Sequence, residues 1–185
     1  MTADRQRQRF QEVVLPHLDD ALSLARWLTG NVTDAEDVVQ DACIRAYGAI
    51  HTLRDGSPRA WLLTIVRNTA FSWLAKNRPK ALIVTSDERV FEQAGMERLD
   101  RSAVATPETD LIKKADAEML MTAIAALPLS YREVLVLREI EGMSYSEIAQ
   151  IASIPVGTVM SRLARARSQL IERVVRANGG KASVA

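Results

Sequence analysis

The chain has 185 residues, of which 48% are hydrophobic, 25% charged and only 5% aromatic, and its net charge is +1. This composition excludes disorder throughout and favours helices, because β-rich domains depend on aromatic and β-branched residues. No apolar run approaches the roughly 20 residues that span a bilayer, the N-terminus has no secretion-signal pattern, and Cys43 is the single cysteine. We therefore expect a cytoplasmic protein without a disulfide or a cysteine-rich zinc site.

Charge is distributed unevenly along the chain. Residues 31–44 contain four acidic residues and no basic one, whereas residues 59–80 contain five basic residues and no acidic one. Residues 156–176 contain five arginines against Glu172 alone. Two basic stretches and one acidic stretch indicate separate surfaces for separate partners.

Helix-terminal signals divide the chain clearly. Capping-box patterns are present at Thr33/Glu36, Ser130/Glu133 and Ser144/Glu147. Cap-plus-proline pairs occur at Ser57-Pro58 and Thr106-Pro107, helix-closing glycines at Gly30 and Gly142, and a helix-breaking proline at Pro16. These signals and the apolar periodicity predict an all-α fold with helices at about 4–14, 17–29, 34–50, 58–77, 107–126, 131–141, 145–152 and 156–175.

The periodicity fades after the fourth helix, which predicts two small helical domains joined by a linker. We place the domains at 1–78 and 107–177, the linker at 79–106 and a frayed tail at 178–185.

The helix at 34–50 has an acidic face opposite its apolar one. The predicted core residues are Ala35, Val39, Ala42, Cys43, Ala46 and Ile50. The opposite face carries Asp34, Asp37 and Asp41, with Ile44 at its edge. Charge alone favours a solvated face, but an apolar residue beside the acids suits docking onto a basic helical partner.

The helix at 58–77 mixes aromatic and basic residues on the side away from its predicted core. That side carries Trp61, Thr64, Arg67, Asn68, Phe71 and Arg78. Cations for phosphates, with rings and amides for unstacked bases, are typical of single-stranded nucleic acid binding. Packing of Trp61 and Phe71 against the preceding helices is the alternative, and for Trp61 we favour it.

The strongest pattern is a helix-turn-helix at 144–175. A short capped helix is followed by a turn at 153–155 and a longer helix whose predicted buried stripe is Val159, Leu163, Ala166 and Leu170. Polar residues near the start of the second helix reach base edges in the major groove. We assign Thr158, Ser161, Arg162 and Arg165 to bases or nearby phosphates, and Arg167 and Arg173 to the DNA backbone or solvent.

No catalytic or metal-binding constellation is apparent. His17 and His51 have no nucleophile or metal partner in the sequence, and we predict neither an enzyme nor a bound metal or cofactor. His51 begins a loop, 51–57, which lies near DNA if the following helix does.

The same segments, taken in order, resemble the extracytoplasmic-function group of bacterial RNA polymerase sigma factors. The resemblance is carried by DAEDVVQDACIRAY (34–47), RAWLLTIVRNTA (59–70), LPLSYREVL (127–135), GMSYSEIA (142–149) and PVGTVMSRLARAR (155–167). It covers nearly the whole chain and is weakest in the linker.

The resemblance implies a role for each surface. The N-terminal domain, region 2, would bind core RNA polymerase through the acidic helix, with Asp37, Gln40 and Asp41 at the contact and Asp34 and Ile44 beside them. It would also melt the minus-ten promoter element with the loop and the basic aromatic helix, using His51, Thr52, Leu53, Arg67, Asn68, Phe71 and Arg78.

The C-terminal domain, region 4, would read the minus-thirty-five element. Its recognition helix has Met160 where several relatives carry Arg or Lys, so base preference at that position does not carry over. The resemblance also implies an anti-sigma partner. A stand-alone helix-turn-helix repressor or activator is the alternative function, but it leaves the acidic and aromatic helices without roles.

Overall fold

A computed structural model describes residues 3–53, 56–82 and 117–181, without the side chains of residue 3 and residues 178–181. Within these ranges the chain is all-α, as predicted, and no strand is present. The helices are α1 (Ala3–Val13), α2 (Leu18–Thr29), α3 (Val32–Ala49), α4 (Pro58–Asn77), α5 (117–125), α6 (Leu129–Leu135), α7 (Tyr145–Ala152) and α8 (Val156–Lys181).

The bounds of α4 and α7 agree with the prediction to the residue. Helix α8 runs to Lys181, so the start of the tail that we predicted as frayed is helical. Most of the predicted linker and the cap at Thr106-Pro107 lie outside the described residues.

Local signals explain several of the turns. The helix is interrupted between α1 and α2 by a 3-10 turn, Leu15–His17. This turn contains Pro16, which the sequence predicts to be helix-breaking. Gly30 closes α2 with φ of 84°, a left-handed conformation that a residue without Cβ adopts at low cost. The Ser57 hydroxyl accepts a hydrogen bond from the Ala60 amide at 3.2 Å and begins α4.

Two of the three predicted capping boxes are wrong. Helix α3 is capped by Asn31, whose side chain accepts from the Asp34 amide at 2.8 Å, and not by Thr33. Helix α6 follows Pro128 without a side-chain cap. The Glu133 side chain is fully buried and bonds Arg67 of α4 instead of the start of its own helix. The Ser144/Glu147 box is confirmed, because each side chain bonds the other residue's backbone amide.

Helices α2, α3 and α4 surround the N-terminal part of the core. Leu24, Val38, Leu62 and Val66 are among its fully or nearly fully buried residues. Val38, not the predicted Val39, occupies the innermost position on α3, while Val39 and Cys43 are half-buried at its edge. Each large apolar side chain fully removed from water contributes about 1.5–3 kcal/mol to folding.

The C-terminal part is built from α6, α7 and α8. Helix α6 continues as one π-helical turn, Val136–Ile140, and Gly142 with φ of 67° then redirects the chain toward α7. Leu137, Ile148 and Leu163 are fully or nearly fully buried between these helices.

The two parts pack directly against each other. Helices α2 and α4 contact α6 and α7, and the buried apolar residues of both parts form one continuous core. Arg132 of α6 is buried and donates to the Trp27 carbonyl in the last turn of α2 at 2.9 Å. Burial lowers the pKa of Arg132 to about 10, which leaves the guanidinium charged at neutral pH. A cation at the negative end of the helix dipole stabilises the junction.

Candidate polymerase and promoter-DNA surfaces

The outer face of α3 is open to solvent. Asp37, Gln40 and Asp41 are exposed, and Ile44 keeps 68% of its surface accessible. Because one face combines two carboxylates with an exposed branched apolar side chain, it suits a basic partner surface that also covers apolar area. These four predicted polymerase-binding residues therefore lie together.

Asp34 lies apart from this open face. It is half-buried and accepts a hydrogen bond from Arg78 Nη2 at 2.8 Å. Arg78 also donates to the Thr29 carbonyl at 3.1 Å, and its guanidinium lies 5.6 Å from the centre of the Trp73 ring. Asp34 and Arg78, which we predicted for two different surfaces, thus pair with each other and tie the end of α4 to the start of α3.

The predicted strand-binding residues of α4 form a cluster. The Arg67 guanidinium lies 3.9 Å above the centre of the Phe71 ring and donates to Asn68 Oδ1 at 3.3 Å. Asn68 is exposed, and Phe71 is half-buried. A cation held on an aromatic face beside an amide offers contacts for a phosphate and for an unstacked base. Trp61 and Phe71 both pack against the core, which confirms the interpretation we favoured for Trp61 and shows that Phe71 also has a structural role.

The loop before α4 presents only some of its predicted residues. His51 and Thr52 are exposed, and the Thr52 hydroxyl donates to the Ala49 carbonyl at 2.7 Å. Leu53 is buried, so its side chain belongs to the core and not to the outer surface. Its carbonyl accepts a hydrogen bond from Arg9. Residues 54 and 55 lie outside the described residues.

Helices α7 and α8 form the predicted helix-turn-helix. Ser153 ends α7 in the left-handed conformation with φ of 54°, and the Ile154 amide donates to the Ala149 carbonyl at 3.0 Å. Val159, Leu163 and Ala166 are buried as predicted, and Leu170 is half-buried against them.

The opposite side of α8 carries the predicted base-reading residues. Met160, Ser161 and Arg165 are exposed, whereas Thr158 and Arg162 are half-buried. Arg167, two residues after Arg165, forms an exposed ion pair with Glu139 at 2.6 Å.

Sequence reasoning missed a group of charged residues between the N-terminal and C-terminal parts. Arg67 Nε donates to Glu133 Oε1 at 2.6 Å, and Arg59 Nη2 donates to Glu141 Oε2 at 2.8 Å. Burial raises the pKa of Glu133, while the bond from Arg67 opposes that change. The available signal was the adjacent charged pair Arg132-Glu133, which precedes the apolar run 134–137.

Charge pairing also acts on the neighbouring acid of α2. Arg59 Nε donates to Asp20 Oδ2 at 2.6 Å, which holds the pKa of that carboxyl below its usual range. Arg59 therefore joins an acid of the N-terminal part to an acid of the C-terminal part.

Within residues 3–53, 56–82 and 117–181, no group of three or more His, Cys, Asp or Glu side chains is placed to hold a metal ion. The helices described over these ranges include none with the length and apolar character that a bilayer crossing demands.

Comparison with known proteins finds two family models. The model described as Sigma-70 region 2 matches residues 13–80, and the model described as Sigma-70, region 4 matches residues 117–170. An extracytoplasmic-function (ECF) RNA polymerase sigma-E factor of Escherichia coli K12 is 34% identical over 145 residues, which cover 76% of this chain and 74% of the relative. Its counterpart in Haemophilus influenzae is 34% identical over 155 residues, 82% of this chain and 79% of the relative.

Two solved structures are similar in fold. The sigma factor RpoE from Bartonella quintana, in complex with the anti-sigma factor NepR, is 28% identical and superposes with a TM-score of 0.69 over 89% of this chain and 96% of the other. CnrH, in complex with the cytosolic domain of CnrY, is 27% identical with a TM-score of 0.57 over 88% of this chain and 85% of the other.

Proposed function

This chain belongs to the extracytoplasmic-function group of RNA polymerase sigma factors, and we propose a division of promoter recognition among its three surfaces. As a sigma factor it binds core RNA polymerase and directs transcription initiation at promoters. In our proposal, Asp37, Gln40, Asp41 and Ile44 bind core polymerase. The solved relative RpoE from Bartonella quintana is in complex with an anti-sigma factor, and we propose that this chain also has an anti-sigma partner.

The two remaining surfaces divide the DNA between them. The cluster of Arg67, Asn68 and Phe71 binds the melted strand of the minus-ten element, with His51 and Thr52 beside it. The outer side of α8 reads the minus-thirty-five element as duplex, through Thr158, Ser161, Arg162 and Arg165. This work requires no chemistry by the chain itself, and we propose that it has none and that it acts in the cytoplasm.

The observation that carries this proposal is the open acidic face of α3. A stand-alone helix-turn-helix repressor needs α7 and α8, but it has no use for two exposed carboxylates around an apolar residue that is 68% exposed. This face lies on α3, far in sequence from the proposed DNA-reading helix α8. Such an arrangement fits a factor that binds core RNA polymerase before it reads a promoter.

Charge reversal of that face tests the proposal. We expect Asp37→Arg with Asp41→Arg to abolish co-purification with core polymerase and run-off transcription from genomic promoter fragments, because like charges replace attraction at the contact. The fold should persist, because both side chains are exposed.

The matched control is Asp4→Arg with Glu12→Arg, which reverses two exposed acids of α1. It changes the net charge by the same amount at exposed positions outside the proposed contact. If the Asp37/Asp41 variant still co-purifies with core as well as this control does, the assignment of α3 is wrong. A chain that binds promoter fragments tightly without core would indicate the stand-alone repressor instead.

A further inference from the structure

We propose that the C-terminal part of the chain holds the strand-binding cluster closed in the absence of polymerase, with the Glu133 carboxylate occupying the place of a DNA phosphate on Arg67. The proposal rests on the function proposed above for Arg67, and it adds a regulatory role for residues that no DNA or polymerase contact requires. We call the pairs Arg67–Glu133 and Arg59–Glu141, with Ser23, the interdomain latch.

The first part of the latch acts on a residue of the DNA site itself. Arg67 Nε donates to Glu133 Oε1 at 2.6 Å, and the Glu133 side chain has no solvent-exposed surface. Only 17% of the Arg67 side chain remains exposed. Carboxylate and phosphate oxygens are both anionic acceptors that match the guanidinium fork, so the two ligands compete for the same N–H group. Arg67 therefore contacts a phosphate at this position only after Glu133 has left.

The second part of the latch lies toward the start of α4. Arg59 donates through Nη2 to the Glu141 carboxylate at 2.8 Å and through Nη1 to the Glu141 carbonyl at 2.6 Å. The Ser23 hydroxyl donates to Glu141 Oε1 at 2.7 Å. Glu141 thus connects to both α2 and α4, and it lies eight positions after Glu133, beyond the π-helical turn Val136–Ile140. Two separated contacts fix the orientation of the C-terminal part on α4.

The balance of energies suits a latch that a partner can open. Glu133 Oε2 has no hydrogen-bond partner among the described residues, although Arg67 and the charge of Arg162 both favour the ionised form. Burial raises the pKa of this carboxyl. A buried carboxylate with one hydrogen bond recovers only part of the solvation that it loses, so the ion pair adds little net stability to the closed form. Contacts with core polymerase can then repay the cost of opening.

The latch covers one DNA-reading surface and leaves the other accessible. Met160, Ser161 and Arg165 on α8 are exposed while Arg67 is engaged. We therefore expect the closed chain to be deficient in single-strand binding specifically, a selectivity that a generally misfolded or aggregated chain would not show.

A reversible cross-link tests the latch directly. In a Cys43→Ser background, Ser23→Cys with Glu141→Cys places thiols at two side chains that are in hydrogen-bond contact across the two parts. A short, reducible bis-methanethiosulfonate reagent joins them. We expect the linked full-length chain to lose roughly tenfold or more of its run-off transcription with core polymerase, and to recover it on reduction.

The matched control places the same cross-link inside α1. Gln8→Cys with Glu12→Cys replaces an exposed pair that is joined by a 3.0 Å hydrogen bond, so it carries the reagent without connecting the two parts. We expect the linked and reduced forms of this control to transcribe equally. Equal transcription by the linked and reduced forms of the Ser23/Glu141 variant would overturn the latch.

A second variant opens the latch instead of locking it. Glu141→Lys places a cation beside Arg59, whereas Glu141→Gln keeps the size and removes only the charge. With a labelled random single-stranded oligonucleotide and no polymerase, we expect Glu141→Lys to bind roughly tenfold more tightly than the parent chain in fluorescence anisotropy, and to have a larger radius of gyration in solution scattering. Glu141→Gln should lie between them. A more open chain with unchanged strand binding would refute the occlusion of Arg67.

These outcomes separate the latch from the function on which it rests. If the parent chain and the α1 control both fail to transcribe with core, the sigma-factor assignment of the surfaces is wrong. If both transcribe and the locked chain does too, the assignment of function stands and the latch is wrong.

Discussion

The arginines of α4 and α8 differ in how they are engaged before DNA arrives. On α4 and at its C-cap, Arg59, Arg67 and Arg78 each form a hydrogen-bonded ion pair with a carboxylate of another helix. On α8, Arg165 is exposed, and Arg167 pairs with Glu139, where both side chains are about half exposed. In the roles proposed above, α8 reads duplex DNA from outside and can present its side chains at all times, whereas the surface of α4 for unpaired bases is useful only once polymerase is bound.

The contrast between a buried and an exposed pair should appear first in stability. We expect Glu133→Lys to lower the free energy of unfolding by about 3–5 kcal/mol, because a buried lysine would lie against Arg67 and near Arg162 without a counter-charge. Glu139→Lys, in the exposed pair with Arg167, should cost less than about 1 kcal/mol. Urea denaturation followed by circular dichroism measures both. If both variants lowered the free energy of unfolding by similar amounts, the proposed contrast between the buried pair of α4 and the exposed pair of α8 would be wrong.

A smaller effect concerns which promoters are chosen. We expect Arg162→Ala and Arg165→Ala each to remove about 1–3 kcal/mol of discrimination at a position of the upstream element, because a bidentate contact to a base edge is lost. Run-off transcription on a library of upstream elements measures this preference. As the comparison, Arg67→Ala should weaken all promoters in the library evenly. An unchanged preference in the α8 variants would mean that these arginines contact only the backbone.

The smallest effect is expected at the cap of α7, which positions α8. Ser144→Ala should cost about 1 kcal/mol at neutral pH, because it removes the hydroxyl that bonds the Glu147 amide and carboxylate. Hydrogen bonds from Ser144 hold the pKa of Glu147 below its ordinary value. A carboxylate with a lowered pKa in the folded state stabilises the fold above its unfolded pKa, and this contribution is lost as the pH falls through the folded value.

The stability difference between Ser144→Ala and the parent chain should therefore narrow as the pH falls from about 7 to about 3. Thermal unfolding across that range measures the difference, and Ser168→Ala, at an exposed serine inside α8, is the control. A stability difference that does not change with pH would show that the charge of Glu147 contributes nothing to the cap.

Local sequence signals predicted most of the backbone of this chain. The starts of α4 and α7 were predictable because Ser57 and Ser144 satisfy amide groups three residues away, an interaction that needs no tertiary contact. The buried stripe of α8 followed from its 3.6-residue period for the same reason.

The failures share one physical cause. Ser130/Glu133 has the capping-box spacing of Ser144/Glu147, yet Glu133 pairs with Arg67, 66 positions away in the chain. Asp34 likewise pairs with Arg78, 44 positions away, and leaves the acidic face to Asp37 and Asp41. A spacing pattern cannot show which distant residue competes for a side chain.

The sequence by itself therefore determined the helices, the helix-turn-helix and the family, because these depend on contacts within a few residues and on motifs in order. Only the tertiary structure decided that α6 and α7 pack on α2 and α4, and that Arg67 pairs with Glu133. That decision rests on burial: Glu133 and Arg132 are charged residues inside a continuous apolar core, where each requires a partner from the other part of the chain.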